Sequence, residues 1–223
     1  KARLEQDFIH AHDIAVYTIH DAAYPERLRQ CSDAPFVLFG KGNLKLNEGK
    51  FLSIVGTRSA TPYGQELARR LVLDLAQEMK DITIVSGLAY GIDVAAHRAA
   101  LEAGLPTIII PAHGLDRIYP AVHRPVAVAA LKQGGILTEY PSGTEPEKMN
   151  FVARNRIIAG LSEAVVVVES KERDGSLITA GFANDYNRDV LTFPGRVTDM
   201  NAKGCHDLIR NHRAELIESA EDV

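Results

Sequence analysis

Two kinds of apolar block follow one another along the chain. Short runs rich in β-branched residues occupy 36–39, 52–55, 82–85, 107–111, 136–139, 164–168 and 190–193. Their length and the glycine, proline or polar residues around them predict strands. Between them lie longer stretches in which apolar residues recur every three or four positions. Residues 65–79 place Leu67, Leu71 and Leu75 at four-residue spacing, the stripe of an amphipathic helix. Helices are likewise predicted over 93–103, 122–132 and 177–186. A further helix, over 150–162, has Ile157, Ile158 and Leu161 as its buried stripe. The run 36–39 reads as an extension in front of the main sheet, which begins at 52. In the tail, 204–217, Leu208, Ile209, Leu216 and Ile217 are expected to pack on the sheet or on a second subunit.

Strands alternating with helices predict an α/β domain whose mostly parallel sheet is covered on both faces. Right-handed crossovers make it Rossmann-like and doubly wound, with ligands bound at the carboxyl ends of the strands. Three glycine-containing turns fall there: Gly56-Thr57-Arg58, Ser86-Gly87 and Gly175-Ser176. Such turns leave backbone N–H groups near a helix start and bind anions, phosphate above all; they also serve simply to turn strand into helix. The first is not the dinucleotide fingerprint, because Arg58 stands where a second glycine would let the backbone reach a pyrophosphate. An arginine fork suits a different phosphate ligand.

The stretch 150–162 carries an aromatic, two arginines and two amides. At about 100° per residue, Arg154 and Arg156 point about 200° apart. One can face a ligand, and the other belongs to the structure. Phe151, beside Asn150 at the start of the helix, is either a platform for a stacked base or a core residue. Asp93 and His97 share a helix face, where a role in the helix start and in packing is the expectation. Glu139 and Glu169 each end a strand without a second carboxylate or histidine to form a catalytic set. His10, His12 and His20 fit no metal-ligand spacing.

The chain has 223 residues, of which 46% are hydrophobic, and a net charge of −4. That supports one large domain, or one domain with a small attachment, with an ample core, and excludes a uniformly basic surface while allowing a local basic cleft. Cys31 and Cys205 are far apart and suit a reducing compartment. No run is long enough to cross a membrane and no charged-then-apolar leader opens the chain, so a cytoplasmic location is expected.

Taken together, these blocks resemble the DNA-processing protein A family, DprA/Smf. The resemblance rests on Ile54 to Arg58 with Tyr63-Gly64, Val85 to Asp93 with Ala96-His97, and Gly114-Leu115-Asp116 with Tyr119-Pro120. It continues in Glu139-Tyr140-Pro141, in Asn150-Phe151 with Arg154 to Ile158, and in Gly175 to Ala180 with Arg188-Asp189-Val190 and Pro194-Gly195. It implies an extended Rossmann-like domain over 21–223, behind a remnant of an N-terminal helical domain over 1–20. It also implies a cytosolic homodimer, not an enzyme and with no cofactor. That dimer binds single-stranded DNA, protects incoming strands in natural transformation and helps load the RecA recombinase. The DNA-contacting set it implies comprises Gly56, Thr57 and Arg58 in the first turn, Ser86 and Gly87 in the second, and Ser176 in the third. Lys148, Asn150, Phe151, Arg154 and Asn155 complete it. Asp174, where the family often has serine, weakens the third turn locally. Arg210 to Ala214 departs from the usual turn near the end that the family uses for dimer contacts. The alternative is a nucleotide or sugar-phosphate enzyme like the lysine-decarboxylase-like phosphoribohydrolases. Their Pro-Gly-Gly-x-Gly-Thr turn with its following glutamate is missing here.

Overall fold

The β-branched runs form strands buried on both faces, as a parallel sheet requires. The computed structural model describes residues 2–223. In chain order the elements are α1 (Ala2–Ala11), β1 (Ala15–Thr18), α2 (Glu26–Arg29), β2 (Val37–Gly42), β3 (Lys50–Val55) and α3 (Pro62–Glu78). Next come β4 (Ile82–Ser86), α4 (Ile92–Ala103), β5 (Thr107–Ile109), α5 (Arg124–Gln133), β6 (Gly135–Thr138) and α6 (Lys148–Leu161). The last are β7 (Ala164–Val167), α7 (Gly175–Asp185), β8 (Asp189–Thr192), α8 (Lys203–Arg210) and β9 (Glu215–Leu216).

One sheet joins all the strands in the order β1-β2-β6-β5-β4-β3-β7-β8-β9. From β6 to β9 every pairing is parallel, with Ser53 opposite Val85 on one side of β3 and Ile54 opposite Val166 on the other. The chain builds outward from β3 through β4, β5 and β6, then returns with β7 to the free side of β3. Crossovers on either side of β3 therefore run to opposite faces, and a crevice opens between the carboxyl ends of β3 and β7.

Alternation along β3 divides the core. Leu52 and Ile54 face Leu71, Leu75 and Ile84 beneath α3 and α4. Phe51 and Val55 face the other side, with Ile157, Ile158 and Leu161 of α6. The stripe read from the sequence is thus buried as expected. Helix α3 starts three residues earlier than the apolar spacing suggests. Pro62 supplies its first turn, and the Thr61 hydroxyl accepts the Gly64 N–H at 3.0 Å.

The run 36–39 is continuous with the main sheet rather than in front of it: β2 pairs antiparallel with β6, and β1 pairs antiparallel with β2. Residues 15–18 therefore belong to the Rossmann-like sheet, so the boundary expected near 20 falls before β1. Helix α1 buries none of its residues and is held through Glu5, which accepts the Ser142 N–H at 3.0 Å. His10 and His12 bond to carbonyls one turn back, Gln6 and Phe8. The tail packs on the sheet, with β9 alongside β8 and Ile217 buried. Among the described residues, no helix is long and apolar enough to cross a membrane.

Candidate nucleic-acid interface

A cleft of about 700 Å³ lies at the carboxyl ends of β3 and β7, between the turn after β3, the start of α6 and the start of α7. The first turn is pinned from below. The Thr57 N–H donates to the Glu169 carbonyl at 2.7 Å, and the Ile92 N–H donates to the Thr57 carbonyl at 3.4 Å. A Cβ on Gly56 would lie 2.5 Å from Ile92 and 2.8 Å from the Glu169 carbonyl, so only glycine fits. With Thr57 buried, the turn delivers the exposed Arg58 to the cleft.

The Arg58 guanidinium lies over the half-buried Phe151 ring, 5.0 Å from its centroid. The Arg154 guanidinium is 5.9 Å from the same centroid, and the Tyr119 ring is also 5.9 Å away. Two cations beside one aromatic ring make a cation–π cluster at the mouth of an otherwise polar site.

Arg154 and Arg156 are divided as their angular separation predicts. Arg156 makes a fork with Glu139 at 2.5 and 2.6 Å, and both side chains are mostly buried. That bond explains Glu139, which is a structural partner and not a free acid. Arg154 turns the other way but is only 3% exposed, so it forms the floor of the cleft and not its rim. Its Nη1 donates to the Ile110 carbonyl, and Asp93 stands nearby as its counter-charge. Burial pulls the Arg154 guanidinium down to about 10, Asp93 works to raise it, and Arg58 adds to the lowering. Burial likewise lifts the Asp93 carboxyl above its usual range, with Arg154 opposing the rise. Asp93 also accepts the Ala89 N–H at 3.2 Å, a loop contact rather than a helix cap. The Arg154 Nε is buried with no hydrogen-bond partner, which leaves donor capacity and positive charge beneath the cleft.

The second turn does not line the cleft. Ser86 is fully buried and donates its hydroxyl to the Ile54 carbonyl at 2.6 Å, a side-chain bond added to the backbone pairing of β4 with β3. Gly87 sits behind Arg154, where any Cβ would meet the guanidinium and the Asp93 carboxylate. Its lack of a side chain makes room for the arginine. Asn150 is also committed elsewhere: its amide donates to the Glu145 carbonyl at 3.0 Å.

The remaining residues of the set do reach the cleft. Lys148 is exposed at the start of α6. Asn155 lines the wall and donates to the Gly175 carbonyl at 3.2 Å, holding α6 against the start of α7. Ser176 lines it too, although its hydroxyl donates to Ser170 at 2.9 Å. Asp174 turns its carboxylate onto the Lys171 N–H at 3.1 Å and makes no side-chain cap on α7. Leu177 donates its N–H back to the Asp174 carbonyl at 3.2 Å, while Gly175 and Ser176, at the uncapped start of α7, line the cleft where an anion would be favoured. Glu169, the other strand-end carboxylate, accepts the Thr61 N–H at 2.9 Å and its hydroxyl at 2.5 Å; it organises the start of α3. Arg173 and Tyr119 also join the site, although neither belongs to the DNA-contacting set implied by the resemblance. Arg173 precedes the third turn directly in sequence, a usable signal; Tyr119 arrives from a loop after β5, and only the fold brings it to Phe151.

The family model of the DNA recombination-mediator protein A matches residues 15–223. The chain is 42% identical over 207 residues to the DNA processing protein DprA of Streptococcus pneumoniae, covering 93% of this chain and 72% of that one. It is 42% identical over 199 residues to the putative DNA processing protein DprA of Mycobacterium tuberculosis, and spans 50% of that relative's length. Among solved structures, the S. pneumoniae DprA superposes over 100% of this chain and 76% of its own, with a TM-score of 0.91 and 40% identity. The DNA processing protein A of Helicobacter pylori, studied for its single-stranded DNA binding mode, covers 93% of both chains with a TM-score of 0.83 and 30% identity. The molybdenum cofactor binding protein of Rippkaea orientalis, at 18% identity and a TM-score of 0.53, shares the fold alone. Fold, motifs and relatives agree that the chain belongs to the DNA recombination-mediator protein A family.

Proposed function

We propose that this chain binds single-stranded DNA in the cleft between β3 and β7, protects the strand and helps load a RecA-type recombinase onto it. Homologous recombination, including recombination of incoming DNA in natural transformation, is the setting this activity serves. The observation that carries the reading is the exposed Arg58 guanidinium lying over the Phe151 ring above a cleft with a buried arginine in its floor. A base can replace the guanidinium on the ring, and Arg58 then turns its fork to a phosphate. Stacking accepts any base, and phosphate contacts carry no sequence, so binding is general. A duplex keeps its bases paired and stacked, and cannot offer one to Phe151 without paying to unstack it.

The chain works by binding and not by catalysis, as a cytoplasmic homodimer without a cofactor. The two carboxylates that line the cleft are engaged: Asp93 with Ala89 and the charge of Arg154, Asp174 with Lys171. That favours binding over the hydrolase alternative, whose chemistry needs a free acid. The test is a competition between single strand and duplex of the same sequence, followed by a strand-exchange assay with a recombinase on strands coated by single-strand-binding protein. Preference for the single strand together with faster recombinase loading is the expected result. Equal competition by the duplex, or turnover of a nucleotide substrate, would count against it.

A further inference from the structure

Two exposed tyrosines adjoin the Phe151 ring and the Arg58 turn. Tyr119 is 47% and Tyr90 50% exposed. The Tyr119 ring is tilted 58° against Phe151. Tyr90 stands on the turn that leads into α4, and that turn is braced directly against the Arg58 turn. A Cβ on Gly91 would lie 2.9 Å from the Arg58 carbonyl. The Tyr90 ring meets His123 edge-on, with centroids 4.9 Å apart, and His123 is buried with its Nδ1 2.9 Å from the Leu88 carbonyl. Each tyrosine is thus held from behind by the protein and open in front. The opposite wall, formed by Arg173, Asp174, Ser176 and Ile178, carries no aromatic. The acidic neighbours Asp116 and Glu145 on the aromatic side are both paired with Arg117, which limits their repulsion of a passing phosphate.

Isolated exposed rings need no explanation, but rings that continue a stacking site do. We propose that Tyr119 and Tyr90 extend the stacking surface of Phe151, so that a single strand leaves the cleft across the carboxyl ends of β4 and β5 and not across β8. This rests on the reading of the cleft as a single-strand site. Successive bases then lie on Phe151, Tyr119 and Tyr90, with Arg58 at the centre of the turn. Only the π-face is used, so the tyrosine hydroxyls are dispensable.

The experiment pairs affinity with crosslinking on the full chain. Oligothymidylates of about 4 and about 16 nucleotides bracket the site sizes of such surfaces. Tyr119→Ala and Tyr90→Ala should each weaken both strands by roughly 5- to 100-fold, because even the shorter one has enough bases to reach all three rings, while Tyr119→Phe and Tyr90→Phe bind both like the parent. A strand substituted with 5-iododeoxyuridine, irradiated on the parent protein and mapped by mass spectrometry, should mark Tyr119 or Tyr90 as well as Phe151. Crosslinks at Phe151 and in 171–178 alone, with alanine variants that hold the longer strand normally, would overturn the proposed path and leave the cleft reading standing. No binding of either strand by the parent would overturn both.

Discussion

Arg58 and Phe151 meet across the crevice with the guanidinium 5.0 Å from the ring centroid. One comes from the turn after β3 and the other from the first turn of α6, so neither element alone makes the contact. An apolar ring that would otherwise be wetted is covered by a cation that is itself exposed. Such a lid is easily displaced: an exposed cation–π contact contributes about 0.5–1 kcal/mol.

If a base takes the place of that lid, Phe151→Ala should weaken single-strand binding by about 1–3 kcal/mol. Phe151→Trp keeps a larger π-face and should retain most of the affinity. Titration of a labelled oligonucleotide with each variant checks both. Parent-like binding by Phe151→Ala would mean that the ring only supports Arg58.

Gly87 is expected to be intolerant of even one methyl group. Its Cβ position is occupied by the Arg154 guanidinium and lies 2.6 Å from the Asp93 carboxylate. Gly87→Ala must push the floor arginine upward or distort β4, at a cost of about 1–3 kcal/mol. Thermal unfolding should show the loss, and Arg154→Ala in the same background should relieve part of the steric share.

Arg156 should matter for stability and not for DNA. Its fork with Glu139 is shielded, with side-chain exposures of 15% and 17%. Arg156→Ala strands a mostly buried carboxylate, a change that costs about 3–5 kcal/mol. Denaturant unfolding should show that loss, while the folded variant binds the strand as the parent does.

His97 should give the fold an acid-sensitive slope. Thr107 donates its hydroxyl proton to the Ile84 carbonyl at 2.9 Å, so at 2.7 Å it accepts from the Nδ1–H of a neutral His97. Burial holds the imidazole down at about 3, against 6.5 unperturbed. A base with a depressed folded value is stabilising in full above the unfolded value. The unfolded chain takes up the proton first as pH falls, so stability drops from about pH 6.5 toward 3, by up to about 1.4 kcal/mol per pH unit. His97→Gln should flatten that part of the profile. Asp93, whose carboxyl is raised, works with the opposite sign, so the comparison of variant with parent isolates the histidine.

The parallel sheet was legible because its buried strands are β-branched runs that differ in period from the helices between them. The angular separation of Arg154 and Arg156 correctly divided them into two environments. It was silent on depth, and so did not reveal that Arg154 lies under the cleft. Ser86 and Asn150 look like site residues because they adjoin site motifs. The Ser86 hydroxyl is bonded to Ile54, 32 residues away, a partner that leaves no local pattern, and the Asn150 amide nitrogen is bonded to the nearby Glu145 carbonyl. β1 (Ala15–Thr18) was missed although Ile14 to Ile19, with Val16, Tyr17 and Thr18 between, carries the β-branched and aromatic content of a strand.

The most direct test of the cleft is the affinity of the parent protein and of Arg58→Ala for a labelled single strand, followed by fluorescence anisotropy over a salt series. The parent should bind with a steep log–log dependence on salt. Arg58→Ala should bind more weakly, with the slope reduced by about 0.7, one single-strand phosphate contact. No binding by the parent at moderate salt, or a variant with the same affinity and slope as the parent, would contradict a phosphate-gripping role for Arg58 and with it the DNA-binding cleft.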